Sequence, residues 1–274
     1  MRPIYLLRSK HGWGSCPRIA DHLEDCYVQN LRVVTKIEPN SVCFRWGCTN
    51  FVTQGKGSKI FNRAKAISNS SNKAEARKIL SLAGINVPET WNTPKKFPCI
   101  GRPAHHFGGH HFYVLNSEED ITEEVLANCS YYSAIYPKTK EYRIHGGHGK
   151  IIAMQEKPIN PMHIKQNRHA NHLPFINVKW NDVDLEIGKL GLNAIHALGL
   201  DFGAVDIMAF PMNDNLPRQV VCEVNTAPTL RGYLSLRYAK YFDKIRRNPN
   251  FPHWSFDQFE KGDSLVWKNF QLEQ

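Results

Sequence analysis

Two short segments in the last third of the sequence place carboxylates where carboxylates are costly. Asp206 lies inside the apolar run Ala204-Val-Asp-Ile-Met-Ala209, and Glu223 and Asn225 lie in Val220-Val-Cys-Glu-Val-Asn225. Both runs read as strands. An ionised carboxylate buried in such a strand is strongly destabilising unless a partner compensates it. Glu223 and Asn225 are two residues apart, so on a strand they point to the same face. If the two strands form a hairpin, Asp206 comes near Glu223. The simplest register pairs Phe210 with Arg218 and sets Asp206 opposite Cys222. A one-residue shift or a bulge is then required to gather the three oxygen-bearing side chains. An oxygen-only set of this kind suits magnesium, with phosphate oxygens completing its shell. The competing arrangement pairs the carboxylates with Arg143 or Arg231 as structural salt bridges.

The elements that must position these groups are legible in outline. An opening β-α-β-β pattern is expected: Ile4–Leu7, a helix from about Pro17 to Tyr27, then strands at Leu31–Thr35 and Val42–Arg45. A connection fills 47–62. A helix follows from Asn72 to Leu82, with Asn72 as cap, Glu75 three residues on and Gly84 as its stop. Strands are expected at Phe97–Arg102, His111–Leu115, Tyr131–Ile135, Glu141–His145 and Lys150–Lys157, with one helix from Ser117 to about Asn128. A long helix, Asn181 to Leu198, precedes the two carboxylate strands, Gly203–Phe210 and Gln219–Val224, and a last helix runs from Ser235 to Arg247. The aromatic tail (Trp254, Phe256, Phe259, Trp267, Phe270) is expected to pack on the body.

Leu198-Gly-Leu-Asp-Phe-Gly-Ala-Val-Asp206 followed by Glu223-Val-Asn-Thr-Ala-Pro-Thr-Leu230 resembles the C-terminal signature of ATP-grasp enzymes. The resemblance is closest to the ribosomal-protein glutamate ligase and related carboxylate–amine ligases. It implies that Asp206, Glu223 and Asn225 hold magnesium, or manganese in its place, against the phosphates of ATP. Upstream segments fit the same template in order, over about residues 62 to 232. Lys73, leading a helix into Gly84-Ile-Asn-Val-Pro88, is the implied phosphate ligand. Phe97-Pro-Cys-Ile-Gly-Arg102-Pro resembles the strand that ordinarily ends in Lys-Pro; Arg102 keeps the charge but presents a planar fork.

His105-His-Phe-Gly-Gly-His-His111 stands where the family has a glycine-rich loop over the phosphates, so Gly108 and Gly109 are expected to let backbone N–H groups approach the oxygens. Its histidines match zinc by type but not by spacing. Tyr131-Tyr-Ser-Ala-Ile-Tyr-Pro137 resembles the linker that reads adenine, through Ser133, Ala134 and Ile135. Glu141-Tyr-Arg143 resembles the strand whose arginine stabilises the transferring phosphoryl group. Arg168 and Asn171 stand where the family has an arginine and an asparagine before the long helix, so Arg168 is expected to act at the catalytic centre, on phosphate or substrate, with Asn171 assisting.

The implied fold is α/β and α+β: two α+β subdomains clamping ATP behind a small α/β N-terminal domain, with boundaries at 1–62, 63–135 and 136–274. The implied reaction joins a carboxylate to an amine through an acyl phosphate. A kinase-like phosphotransfer and a nucleotide-binding module without catalysis are the alternatives.

Composition bounds this reading. The 274 residues are 42% hydrophobic and 22% charged, ordinary for a globular protein. No apolar run reaches the roughly 18 residues of a membrane span, and the N-terminal apolar stretch is too short for a secretory signal, so a cytoplasmic protein is expected. Seven scattered cysteines without a Cys-x-x-Cys pair argue against a disulfide framework and a cysteine zinc site. Thirty-five Lys and Arg against 25 Asp and Glu give a formal charge of +10, which favours an anionic partner without naming one. The carboxylate, the amine acceptor and the oligomeric state are not specified by the sequence.

Overall fold

A computed structural model describes residues 1–9, 14–30, 35–106, 111–159, 175–178, 185–210 and 218–249. The chain opens on β1 (Ile4–Arg8), followed by α1 (Ser15–Ala20), β2 (Cys26–Asn30), β3 (Thr35–Lys36), β4 (Val42–Trp46), β5 (Val52–Thr53) and β6 (Lys59–Phe61). Strands β2, β1, β4 and β6 form a sheet in that order, all parallel. The helix expected to reach Tyr27 stops at Ala20. Asp25 turns the chain with a φ of +50°, and Cys26-Tyr-Val, good strand formers, pair with Ile4-Tyr-Leu of β1. Most of the expected strand at Leu31–Thr35 lies outside the described residues.

Next come α2 (Ala64–Ser71) and α3 (Lys73–Leu82). Serine and asparagine make α2 weak by propensity. It is held by burial of Ala66, Ile67 and Ser70. Helix α3 follows expectation: the Asn72 side chain accepts from the Glu75 N–H at 3.1 Å, and Gly84 takes the left-handed conformation at φ +73°. Strands β7 (Thr90–Trp91), β8 (Cys99–Arg102), β9 (Tyr113–Leu115) and β10 (Tyr131–Ala134) make an antiparallel sheet in the order β7-β10-β8-β9. The helix expected from Ser117 is broken in two. Its first turn is 3-10, and α4 (Glu123–Asn128) starts afresh where Thr122 accepts from the Val125 N–H.

The third sheet runs β13-β12-β11-β14-β15 and is antiparallel throughout. Its strands are β11 (Lys140–Gly147), β12 (Lys150–Lys157), β13 (Ile176–Asn177), β14 (Phe202–Ala209) and β15 (Gln219–Asn225), with α5 (Leu185–Ala197) and α6 (Tyr233–Arg247) alongside. Gly191 lets α5 close on this sheet, since a Cβ there would lie 2.8 Å from the Ile144 Cβ.

The two largest cores among the described residues join the sheets and helices to one another. In one, Leu6, Phe44 and Trp46 of the first sheet pack with Phe202, Tyr238 and Phe242. In the other, Ala66 and Ile67 of α2 and Ala76 and Leu80 of α3 pack with Ile195, Val205, Ile207 and Val221. Helices α2 and α3 therefore sit on the third sheet although β7 to β10 separate them from it in sequence. Asn62, fully buried, ties the end of the first sheet to β14: its side chain accepts from the Asp201 and Phe202 N–H groups and donates to the Phe202 carbonyl. No described helix is long and apolar enough to cross a membrane. The aromatic tail lies outside the described residues.

Candidate functional site

The hairpin of β14 and β15 starts in the simple register, with the Phe210 N–H bonded to the Arg218 carbonyl at 3.0 Å. It then slips. Ile207 pairs with Val221, but Asp206 pairs with Glu223, so Cys222 is the extra residue of a bulge. Asn225 stands opposite Ala204, on the same face of its strand as Glu223. The bulge thus supplies the one-residue shift that the sequence required. On the other side of β14, Asp206 pairs with Arg143, which in turn pairs with Gln155. One row across the sheet reads Gln155, Arg143, Asp206, Glu223.

Every acid in this region has a partner. Arg143 clamps Asp206 with a two-pronged ion pair, Nε to Oδ1 and Nη2 to Oδ2, both at 2.6 Å. Its other face covers the Phe175 ring at 4.7 Å. The Asn225 amide donates to Glu223 Oε1 at 2.9 Å. Glu141, next along β11 on the same face, is held between Lys138 at 2.5 Å and Lys157 at 2.7 Å. The competing salt-bridge arrangement is thus half present: Arg143 is on Asp206, while Arg231 is exposed and makes no ion pair with a described acid.

A second group of side chains closes on Glu223 from α2, α3 and the central sheet, β7-β10-β8-β9. The Lys73 ammonium donates to the Val224 carbonyl at 2.9 Å, and its backbone N–H reaches the Ala104 carbonyl at 2.8 Å. Ser70 donates to the same Val224 carbonyl. Arg102, at the end of β8, lays its guanidinium against the Phe112 ring. Arg77 does the same to Tyr131, whose hydroxyl is 3.0 Å from His106 Nε2. Ser133 and Ala134 lie at the end of β10, where the Ala134 N–H is already bonded to the Glu89 carbonyl at 3.0 Å. Beyond them Tyr136 packs its ring on Phe210 at 5.3 Å. Gly108, Gly109, Arg168 and Asn171 lie outside the described residues.

No family model matches this chain, and no curated protein matches it in sequence. Solved structures do. The ATP-grasp ligase PsnB complexed with a minimal precursor aligns at 14% identity over 85% of this chain and 93% of its own, with a TM-score of 0.59. The D-alanine–D-alanine ligase from Bacillus anthracis complexed with ATP aligns at 13% identity over 91% and 100%, with a TM-score of 0.60. A RimK domain protein ATP-grasp from Sphaerobacter thermophilus aligns at 13% identity over 89% and 98%, with a TM-score of 0.59. This chain has the ATP-grasp fold. At such identities the likeness is one of architecture.

Within the ATP-grasp fold of this chain, burial and charge oppose each other at the two carboxylates and act together at His106. Burial by itself would raise the Glu223 carboxyl, but Lys73, the Asn225 hydrogen bond, His106 and Arg143 outweigh it and hold Glu223 well below the usual carboxylate range. Burial pushes the Asp206 carboxyl up, and Arg143 pulls it back. Burial and then Arg102 push His106 down to about 3, so its imidazole is neutral. Among the described residues no three His, Cys, Asp or Glu side chains form a metal cluster. The expected set has two carboxylates and one amide, hard oxygen donors of the kind magnesium takes. A carboxylate offers about four lone-pair directions, and Arg143 fills two on Asp206, so the donor set still fits.

Several side chains at the site were not among the expected residues. Arg77 is one helical turn beyond Lys73, so its place on the same face was legible. The Lys138–Glu141–Lys157 group was not, because it depends on the pairing of β11 with β12.

Proposed function

We propose that this chain is an ATP-dependent carboxylate–amine ligase that uses magnesium, or manganese in its place. The carrying observation is the slipped hairpin: Asp206 opposite Glu223, with Asn225 bonded to Glu223, beside Arg143 and Lys73. In this reading Asp206, Glu223 and Asn225 hold the metal, which supplies charge neutralisation at the phosphates. Lys73 and Arg102 bind phosphate oxygens, and Gly108 and Gly109 add backbone N–H groups. Adenine lies along Ser133, Ala134 and Ile135. A substrate carboxylate attacks the γ-phosphorus of ATP, giving an acyl phosphate and ADP. Arg143, partly buried and held as a cation by Asp206, would stabilise the transferring phosphoryl group. An amine then attacks the acyl carbon, phosphate leaves and an amide forms. Arg168 contacts the substrate or the acyl phosphate.

The neighbours motivate the substrate class. PsnB was solved with a precursor peptide, and also with magnesium and ADP, while the Bacillus anthracis ligase was solved with ATP. A net charge of +10 favours an anionic acceptor, an acidic peptide or amino acid. We assign the reaction to the cytoplasm, where ATP and magnesium are both abundant. The test is an ADP-release screen over amino acids and peptides with ATP and magnesium, run beside Glu223→Ala. Amide product with stoichiometric ADP and phosphate is the expected result. Phosphorylated product without amide would mean a kinase-like phosphotransferase, and binding without turnover a nucleotide-binding module. Full turnover by Glu223→Ala would remove the site assignment.

A further inference from the structure

We infer that Arg77 and Arg102 form a polyphosphate clamp, which makes Arg77 a binding residue for the nucleotide's phosphate chain. The inference rests on the ATP-binding reading above and adds a cation that the family signature does not mark. Arg77 is 9% exposed. Its guanidinium carbon lies 5.1 Å from the centre of the Tyr131 ring, and Nη1 donates to Thr90 Oγ1 at 3.1 Å. Its Nε is buried without a partner. Arg102 is the cross-strand neighbour of Tyr131 in the pairing of β8 with β10. Its guanidinium carbon lies 5.2 Å from the centre of the Phe112 ring, and its Nε is likewise buried without a partner. Two guanidinium groups thus each have a face covered by an aromatic ring and an N–H with no acceptor.

Neither is neutralised by its surroundings. Lys73, Arg77 and Arg102 make no ion pair with any described carboxylate. Lys73 spends its ammonium on a carbonyl. His106, which faces all three, is neutral. Glu223 is the carboxylate that acts on Arg102 and His106, and its near partners are Lys73 and Asn225. Lys73 and Arg102 therefore share one acid, Glu223, and Arg77 stands beside Arg102 in the same largely buried corner. Unpaired buried charge is costly, so such a corner points to an anionic ligand. A lone carboxylate or orthophosphate would satisfy one fork. Two forks on separate elements, with an ammonium beside them, match the several charged oxygens of a polyphosphate.

The experiment is calorimetric titration of wild type, Arg77→Gln, Arg77→Lys and Arg102→Gln with ATP, adenosine and inorganic tripolyphosphate, all with magnesium. Melting temperature serves as the check on folding. Losing a charge-assisted fork should weaken ATP and tripolyphosphate on the order of tenfold in Arg77→Gln, with adenosine unchanged. Arg77→Lys, which keeps the charge and loses the fork, should fall between; it carries the test if the glutamine variant does not fold. Binding of ATP and tripolyphosphate within about twofold of wild type in a folded Arg77 variant, or an equal loss for adenosine, overturns the clamp. Wild type that binds tripolyphosphate but not ATP would sink the ATP reading and leave the clamp standing. Wild type that binds neither would sink both.

Discussion

Two regions meet at Glu223, and they handle charge in opposite ways. On the third sheet each acid is paired at close range: Asp206 with Arg143, Glu141 with two lysines, Glu223 with Asn225. In the corner made by α3 and the central sheet, Lys73, Arg77 and Arg102 crowd together with two buried N–H groups unanswered. The first arrangement compensates its acids at close range, with Lys73 of the second region adding to Glu223. In the clamp proposed above, the second is the arrangement that an anionic ligand would compensate. Side chains kept in an unfavourable arrangement without a ligand are a mark of binding sites, because stability and function compete there.

That contrast can be broken experimentally. The largest effect is expected for Glu223→Ala, which removes the acid shared by both regions; ADP release on a confirmed substrate should fall about a hundredfold or more. Next is Asp206→Leu. It strands a buried Arg143, and urea denaturation should show a loss of about 3–5 kcal/mol. Adding Arg143→Met should recover most of that loss, since replacing a whole buried pair by apolar groups is often neutral. Recovery would show that the pair is a stability element, and its absence would mean that Asp206 is held by something other than Arg143.

Glu141→Gln sharpens the comparison through pH. Burial alone would raise the Glu141 carboxyl, but Lys157 and Lys138 outweigh it, so its folded value lies below 4.5. A carboxyl depressed in this way stabilises the fold above its unfolded value, and the contribution is lost as pH falls through the folded value. Wild type should therefore lose stability as pH drops below 4.5, and Glu141→Gln should show a flatter profile there and a loss of about 2 kcal/mol at neutral pH. A smaller change is expected for Asn72→Ala, which removes the cap of the helix that carries Lys73 and Arg77, at about 1 kcal/mol. The smallest is Arg102→Met. Without ligand it should unfold within about 1 kcal/mol of wild type, or be more stable, since it relieves like-charge crowding. A large loss there would mean that Arg102 is compensated after all.

Much of this was legible in the chain. The cap and stop of α3, the strands β8, β10, β11, β12, β14 and β15, and the shared face of Glu223 and Asn225 follow from local pattern. Helix α2 was not legible, because its serines and asparagines argue against a helix and only burial of Ala66 and Ile67 holds it. The helix of the first unit was read too long because the strand preference of Tyr27 and Val28 is too short a signal to end a helix by itself; pairing with β1 decides it.

The residues alone put two carboxylates and an amide on two apolar strands, and required a slip of one residue for Asp206 to reach Glu223. Those are matters of residue type and strand period, which are local. Where the slip falls, that Arg143 rather than Arg231 takes Asp206, and that Arg77 shares a corner with Arg102 were decided by the tertiary structure. Sheet register and helix docking bring together groups distant in sequence, and the free energy of a buried charge depends on what stands beside it in space.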